Sequence, residues 1–309
     1  MLNDGRKSFT QIASECGETK ATVCNRFNVM KKAGIVTGAT IQLDYATFGY
    51  NTVGSIIFKV NPENIDYVVN QVTKIPNIFN PIKLNNNSTV YVVATLKTMD
   101  ELNKAKEAIK KLPTVSELIT NVWLGVRNIP ENLQITANSE AVNEKTNYHL
   151  KKSSGNAIDV DETDRQIIQR LAKDGRMPFA DIAEELGIAT STAIRKYERL
   201  KQNGVINVSI QVNPLKLGYR GMAIFNLAFL TQSSLSSIVD KLAKIPDITL
   251  ILKTSGQFEL SICSVVKDID QLIALQTEIA KIAEVSKMVM ILEKALPVLP
   301  AYMEYISTF

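Results

Sequence analysis

Residues 161–206, DETDRQIIQRLAKDGRMPFADIAEELGIATSTAIRKYERLKQNGVI, decide the fold. Ile167, Ile168 and Leu171 recur at a helical period, which predicts a helix over 161–172; further helices are predicted over 179–186 and 190–203. Gly187 suits the left-handed stop of the middle helix. Thr190 or Ser191 is placed to cap the third by accepting from an orphan backbone N–H. After Gly204 come strand candidates over 205–209 and 210–212, short enough to form a wing. This is a compact helical domain ending in a helix-turn-helix.

Shifting the chain by 170 positions finds the same pattern earlier. Asp4-Gly5-Arg6 falls on Asp174-Gly175-Arg176, Ile12-Ala13 on Ile182-Ala183, Gly17 on Gly187, Gly34 on Gly204, and Ile75-Pro76 on Ile245-Pro246. Matched glycines and prolines are informative because each fixes a backbone requirement. The remainder of each copy reads as βαββαβ, the ferredoxin-like split. Strands are predicted over 53–60, 78–84, 89–96 and 117–126 with helices over 63–74 and 99–112. In the second copy, strands over 221–230, 248–254, 258–265 and 285–293 accompany helices over 234–245 and 269–282. The expected fold class is α+β: two copies of a winged helix-turn-helix followed by a ferredoxin-like domain. The divisions are 1–45 and 52–130, a linker over 131–158, then 159–214 and 219–309. The linker is rich in Asn, Glu, Lys and Ser, with a short helix expected around 139–144.

The first copy is shorter. Nothing pairs with 161–170, so about one helix is missing, and the apolar faces around Ile12, Val23 and Phe27 need another cover.

Composition narrows the function classes. The chain has 309 residues, 45% apolar and 21% charged, enough Ile, Leu and Val for real cores. No apolar run approaches the roughly 18–20 residues that span a bilayer, and Met1-Leu2-Asn3-Asp4-Gly5 lacks a signal-peptide layout. A cytoplasmic protein with no membrane partner is expected. Cys16, Cys24 and Cys263 show no metal or disulfide spacing, so neither a metal nor another cofactor is expected. Any histidine-based catalysis would pass through the lone His149, which falls in the linker, where geometry is poorly held. No enzyme is expected.

Net charge is only +4, so its placement matters more than its size. The third helix of the second copy carries Arg195, Lys196, Arg199 and Lys201 against Glu198, while the preceding helices are acidic. Ala193, Tyr197 and Leu200 recur at four and three residues and should face inward, as should Val23, Phe27 and Met30 in the first copy. That leaves Thr190, Ser191, Thr192, Arg195, Lys196 and Arg199 pointing out. Hydroxyls at a helix N-terminus and bases along its exposed side suit the major groove of double-stranded DNA. The first copy offers Thr19, Lys20, Thr22, Asn25 and Arg26, with Cys24 and Asn25 standing where the second copy has Ile194 and Arg195.

Together, Asp161-Glu162-Thr163-Asp164-Arg165, Asp174-Gly175-Arg176, Ile182-Ala183, Gly187, Ser191-Thr192, Arg199-Leu200, Gly204-Val205-Ile206, Leu217-Gly218-Tyr219 and Ser255-Gly256-Gln257-Phe258-Glu259 resemble Lrp/AsnC transcription regulators. The resemblance covers almost all of the second copy. It implies a winged helix-turn-helix before a βαββαβ domain called RAM, which dimerises, often binds an amino acid at a subunit interface, and commonly assembles into octamers. It also places an effector site at Ser255, Gly256, Gln257 and Glu259. A glycine there admits a ligand carboxylate to a backbone N–H, and an acid holds an amino group. The first copy has Asn85-Asn86-Asn87-Ser88 instead, where no amino-acid site is expected.

The leading expectation is a sequence-specific DNA-binding regulator. Its copies would form an intramolecular pseudo-dimer through their RAM sheets, and further homo-oligomerisation is expected. Siroheme decarboxylases share the two-domain architecture and supply an enzymatic alternative, but they need histidines around a tetrapyrrole and the RAM regions here hold none. An effector-sensing or architectural scaffold without specific DNA readout is the third class.

Overall fold

A computed structural model describes residues 2, 4–84, 88–129, 132–133, 158–229, 235–282 and 285–298. His149, the helix expected around 139–144 and Asn85-Asn86-Asn87 lie outside the described residues.

The decisive stretch forms α5 (Glu162–Lys173), α6 (Phe179–Leu186) and α7 (Thr190–Gln202). Asp161 and Asp164 make a reciprocal capping box at the start of α5, satisfying two orphan amides together. Gly187 ends α6 in the left-handed region at φ +63°. The N-cap of α7 is Ala189 and makes no side-chain cap, which corrects the capping expected of Thr190 or Ser191: the helix begins one residue earlier and both hydroxyls stand in its exposed first turn. Ile167, Ile168, Leu171, Ile182, Ala193, Tyr197 and Leu200 close one core. Each large side chain withdrawn from water there contributes about 1.5–3 kcal/mol.

The earlier region has two helices, α1 (Phe9–Cys16) and α2 (Lys20–Lys32). Ser8 and Gln11 form a capping box on α1, Gly17 closes it, and the Thr19 hydroxyl caps α2 by accepting from the Thr22 amide. Among the described residues no helix precedes α1. The apolar residues expected to face inward are accordingly only half-buried: Ile12, Val23, Phe27 and Met30, while Val29 is 58% exposed. Phe27 and Met30 pack against the core that α5–α7 closes together with β1 and β6.

The two helical regions are joined by a ribbon. β1 (Val36–Leu43) and β6 (Ile206–Val212) run antiparallel from Val36↔Val212 to Leu43↔Ile206. The wing expected from two short strands over 205–212 is therefore corrected: the segment INVSIQV contains neither glycine nor proline and stays one strand, whose partner lies in the other half of the chain.

The rest makes one eight-stranded antiparallel sheet with helices. β2 (Thr52–Lys59), α3 (Ile65–Val72), β3 (Ile78–Leu84), β4 (Thr89–Leu96), α4 (Met99–Lys110) and β5 (Ser116–Asn128) come first. β7 (Gly221–Phe229), α8 (Leu235–Leu242), β8 (Ile248–Ser255), β9 (Leu260–Val266), α9 (Ile269–Ala280) and β10 (Val285–Lys294) follow. The strand order is β10-β7-β9-β8-β5-β2-β4-β3, so the two four-stranded groups meet where β5 pairs with β8. Alternate residues send Ile56, Phe58, Val90 and Val92 toward α3 and α4, and Phe225, Leu227, Leu260 and Ile262 toward α8 and α9. The other face gathers Val53, Val93 and Trp123 from the first group with Leu252 from the second.

Candidate nucleic-acid interface

In α7 the inward face is as the period requires: Ala193, Tyr197 and Leu200 are at most 2% exposed. Thr190, Ser191 and Arg195 are exposed and Thr192 half-buried, so three polar groups and a guanidinium share the N-terminal part of the outer surface.

Lys196 and Arg199 are placed differently from expectation. Lys196 Nζ sits 2.5 Å from an Asp161 carboxylate oxygen and 3.2 Å from one of Asp164, and its side chain is only 15% exposed. The Arg199 guanidinium pairs with the fully buried Asp164 carboxylate and donates to the Asp159 carbonyl at 3.3 Å. The reading of Lys196 as outward-facing is thus corrected, whereas Arg199 keeps 41% of its side chain exposed beside its ion pair. The cause is the acidic start of α5, which lies across α7 and gathers its cations; the Lys196 hydrogen bond, then the Asp164 backbone, holds the Asp161 carboxyl down to about 2. These pairs fasten α7 to α5.

In α2, Lys20 and Asn25 are exposed, and Thr22 is half-buried against the Thr19 hydroxyl at 2.9 Å. Arg26 is exposed and bridges to Glu18 at 3.0 Å. The bases Lys31 and Lys32 close the helix at its C-terminal end, where positive charge meets the unpaired carbonyls. The β1–β6 ribbon brings α2 and α7 into one assembly, although they lie in different halves of the chain.

The residues expected around an effector lie at the β8–β9 turn. Ser255, Gly256 and Gln257 are exposed, and Gly256 has φ +138°, a conformation reserved for glycine. Glu259 is half-buried, and its carboxylate accepts from the Phe229 amide at 3.2 Å, so one oxygen is already engaged. Sequence reasoning missed Asn121 of β5. It is 7% exposed, its Oδ1 has no hydrogen-bond partner among the described residues, and a methyl group placed on Gly256 would come within 2.9 Å of that oxygen. Nothing in the local sequence announces it, because its neighbour is supplied by the other strand group.

Among the described residues no three His, Cys, Asp or Glu side chains gather as a metal site, and no helix is long and apolar enough to cross a membrane.

Residues 160–201 match the AsnC-type helix-turn-helix domain. The chain is 35% identical over 102 residues to the HTH-type transcriptional regulator FL11 of Pyrococcus furiosus, covering 33% of this chain and 67% of that one. It is 30% identical over 139 residues to the HTH-type transcriptional regulator LrpA of Pyrococcus horikoshii, covering 44% of this chain and 98% of the relative. Among solved structures, the siroheme decarboxylase NirDL superposes with a TM-score of 0.63 at 14% identity, over 99% of this chain and 92% of that one. That likeness is one of fold. The matched helix-turn-helix and the extent of the match to LrpA place the chain in the Lrp/AsnC family of helix-turn-helix transcriptional regulators.

Proposed function

We propose that the chain regulates transcription by binding duplex DNA as an intramolecular pseudo-dimer. Its two modules are 1–45 with 52–130 and 159–214 with 219–309. The observation that carries the reading is the outer surface of α7. Thr190, Ser191, Thr192 and Arg195 present hydroxyls and a guanidinium at the N-terminal part of the third helix of an AsnC-type domain, where a major groove is read. On this reading Arg195 meets a base edge or phosphate. Lys196 and Arg199 chiefly hold the helix in place, and α2 adds Lys20, Asn25 and Arg26. Tethering the modules makes their pairing independent of concentration and permits an operator with two unlike half-sites. The test is titration of the full chain against DNA from upstream of its own coding region. Affinity is expected to fall about 10-fold or more between about 50 and 200 mM salt, as for a protein contacting several phosphates. Salt-independent or absent binding, with no protected site in footprinting, overturns it.

An amino acid or similar small effector is assigned to the β8–β9 turn. The Gly256 backbone would receive its carboxylate and the unpartnered Asn121 Oδ1 its amino group, one such site per chain. Further homo-oligomerisation would run through the RAM modules.

A second reading, as a siroheme-decarboxylase-like enzyme, is favoured by the fold match over nearly the whole chain. The RAM modules contain no histidine to serve it. A saturable absorbance change on titration with siroheme would support this reading, and its absence would dismiss it.

A further inference from the structure

The two Asp-Gly-Arg triplets that mark the repeat meet in space. The Gly5 amide donates to the Val208 carbonyl at 2.7 Å, and the Gly175 amide to the Ala39 carbonyl at 2.9 Å, so each triplet is pinned to the β1–β6 ribbon. Added Cβ atoms would lie 2.8 Å from Val208 Cγ1 at Gly5 and 2.9 Å from it at Gly175, too close for any other residue without a shift. From these positions the arginines cross over. Arg6 donates to the carbonyls of Gly175 at 2.8 Å and Met177 at 3.0 Å, and lies 4.1 Å from the ring centre of Phe179 and 5.3 Å from that of Tyr197. Arg176 donates to the Gly5 carbonyl at 2.6 Å and lies 5.1 Å from Phe9 and 5.5 Å from Phe27.

The contacts are reciprocal, and the rings chosen are not incidental. Tyr197 belongs to α7 and Phe27 to α2; Phe179 and Phe9 belong to the helices packed directly against them. Each guanidinium therefore lies on the back of the opposite helix-turn-helix. A planar fork that donates in its plane and stacks on a ring fixes orientation as well as distance, which an ammonium cannot. Asp4 and Asp174 accept from the Arg6 and Arg176 amides at 3.1 and 2.8 Å, and place a carboxylate beside each end of the arginine pair. A two-stranded ribbon twists easily, and the apolar packing of Phe27 and Met30 and the Lys201–Asp4 pair at 2.9 Å are not directional, so the arginine forks are the contacts that fix an angle between the two helical bodies.

We infer that Arg6 and Arg176 are positioning residues that lock α2 and α7 at one relative orientation and so determine the half-site spacing that the chain accepts in DNA. This rests on the DNA-binding reading above, and neither arginine needs to touch DNA.

The test uses the full chain with Arg6→Ala and Arg176→Ala together, and a second variant with Arg6→Lys and Arg176→Lys, which keeps both charges and most of the packing. Spin labels on the exposed Cys16 and on position 184, in a Cys24→Ser, Cys263→Ala, Glu184→Cys background, report the distance between the two helical regions. The expected result is a single narrow distance in the parent and a distribution about twofold broader or more in both variants. On duplexes whose half-sites are moved apart by about half a helical turn, the parent should lose at least about 10-fold in affinity and the variants less than about 3-fold. Unchanged distance distributions overturn the lock, and an unchanged spacing penalty overturns its role in DNA choice. A parent that binds none of the duplexes overturns the DNA reading itself, and the label distances then judge the lock alone.

Discussion

The α5–α7 region and the α1–α2 region carry corresponding sequence signals and are stabilised in different ways. The first supplies most of a core that it closes with Val36, Ala39 and Ile41 of β1, and it carries an acidic cap on its leading helix to which Lys196 and Arg199 are bound. The second buries only Ala13 fully and leans through Phe27 and Met30 on its neighbour. A helix can thus be oriented chiefly by ion pairs within its own region or by contacts borrowed from a neighbour. The borrowed kind gives up independent stability and becomes tied to the partner's position.

The strongest way to break this contrast is to open each core. Leu171→Ala, at a fully buried site, should cost about 2–5 kcal/mol, and Phe27→Ala, half-buried, about 1–2 kcal/mol, read by urea unfolding of the full chain. Equal costs would mean that α1 and α2 possess a core of their own. Next comes the cap. Asp164→Asn leaves Lys196 and Arg199 without their shared buried partner and should cost about 2–4 kcal/mol in the same measurement. A loss under about 0.5 kcal/mol would show the ion pairs to be incidental.

For DNA, Arg195→Ala is expected to weaken binding about 10-fold and Asn25→Ala less than about 3-fold, by fluorescence anisotropy at fixed salt. The reverse order would make α2 the principal reader. The smallest effect concerns pH. The Asp161 carboxyl lies below its ordinary 3.8, at about 2, chiefly through Lys196. Its contribution is therefore complete above the ordinary value and disappears as pH falls through the folded one. With that side chain 54% exposed, solvent screening keeps the contribution to roughly 0.5 kcal/mol. The difference in melting temperature between the parent and Asp161→Asn should vanish between about pH 5 and about pH 2. A difference that persists at the acid end would assign the effect to the cap geometry rather than to charge.

Most of the architecture was legible because its signals are local. Helical periods placed Ala193, Tyr197 and Leu200 inward, and period-two runs marked the strands that became β2–β5 and β7–β10. What stayed hidden depends on partners distant in sequence. The run from Ile206 to Val212 reads equally well as a folded-back wing, since nothing in it says that its partner begins at Val36. Lys196 and Arg199 lie on the outer arc of a helical wheel, but the wheel does not show α5 lying over that arc with Asp161 and Asp164. Asn121 looks like an ordinary strand residue until Gly256 is brought beside it. A side chain's surroundings could not be read wherever they are set by an element from elsewhere in the chain.

The β1–β6 ribbon has a consequence for synthesis. Its paired residues lie roughly 170 positions apart, so β1 leaves the ribosome long before β6 exists. At about 5–20 residues per second, the hydrogen-bonding edge of β1 waits on the order of 10–30 s for its partner. Throughout that interval it is an unpaired strand edge, open to any similar segment on a neighbouring nascent chain. The strand that later joins the two helical regions is, during translation, open to mispairing between copies.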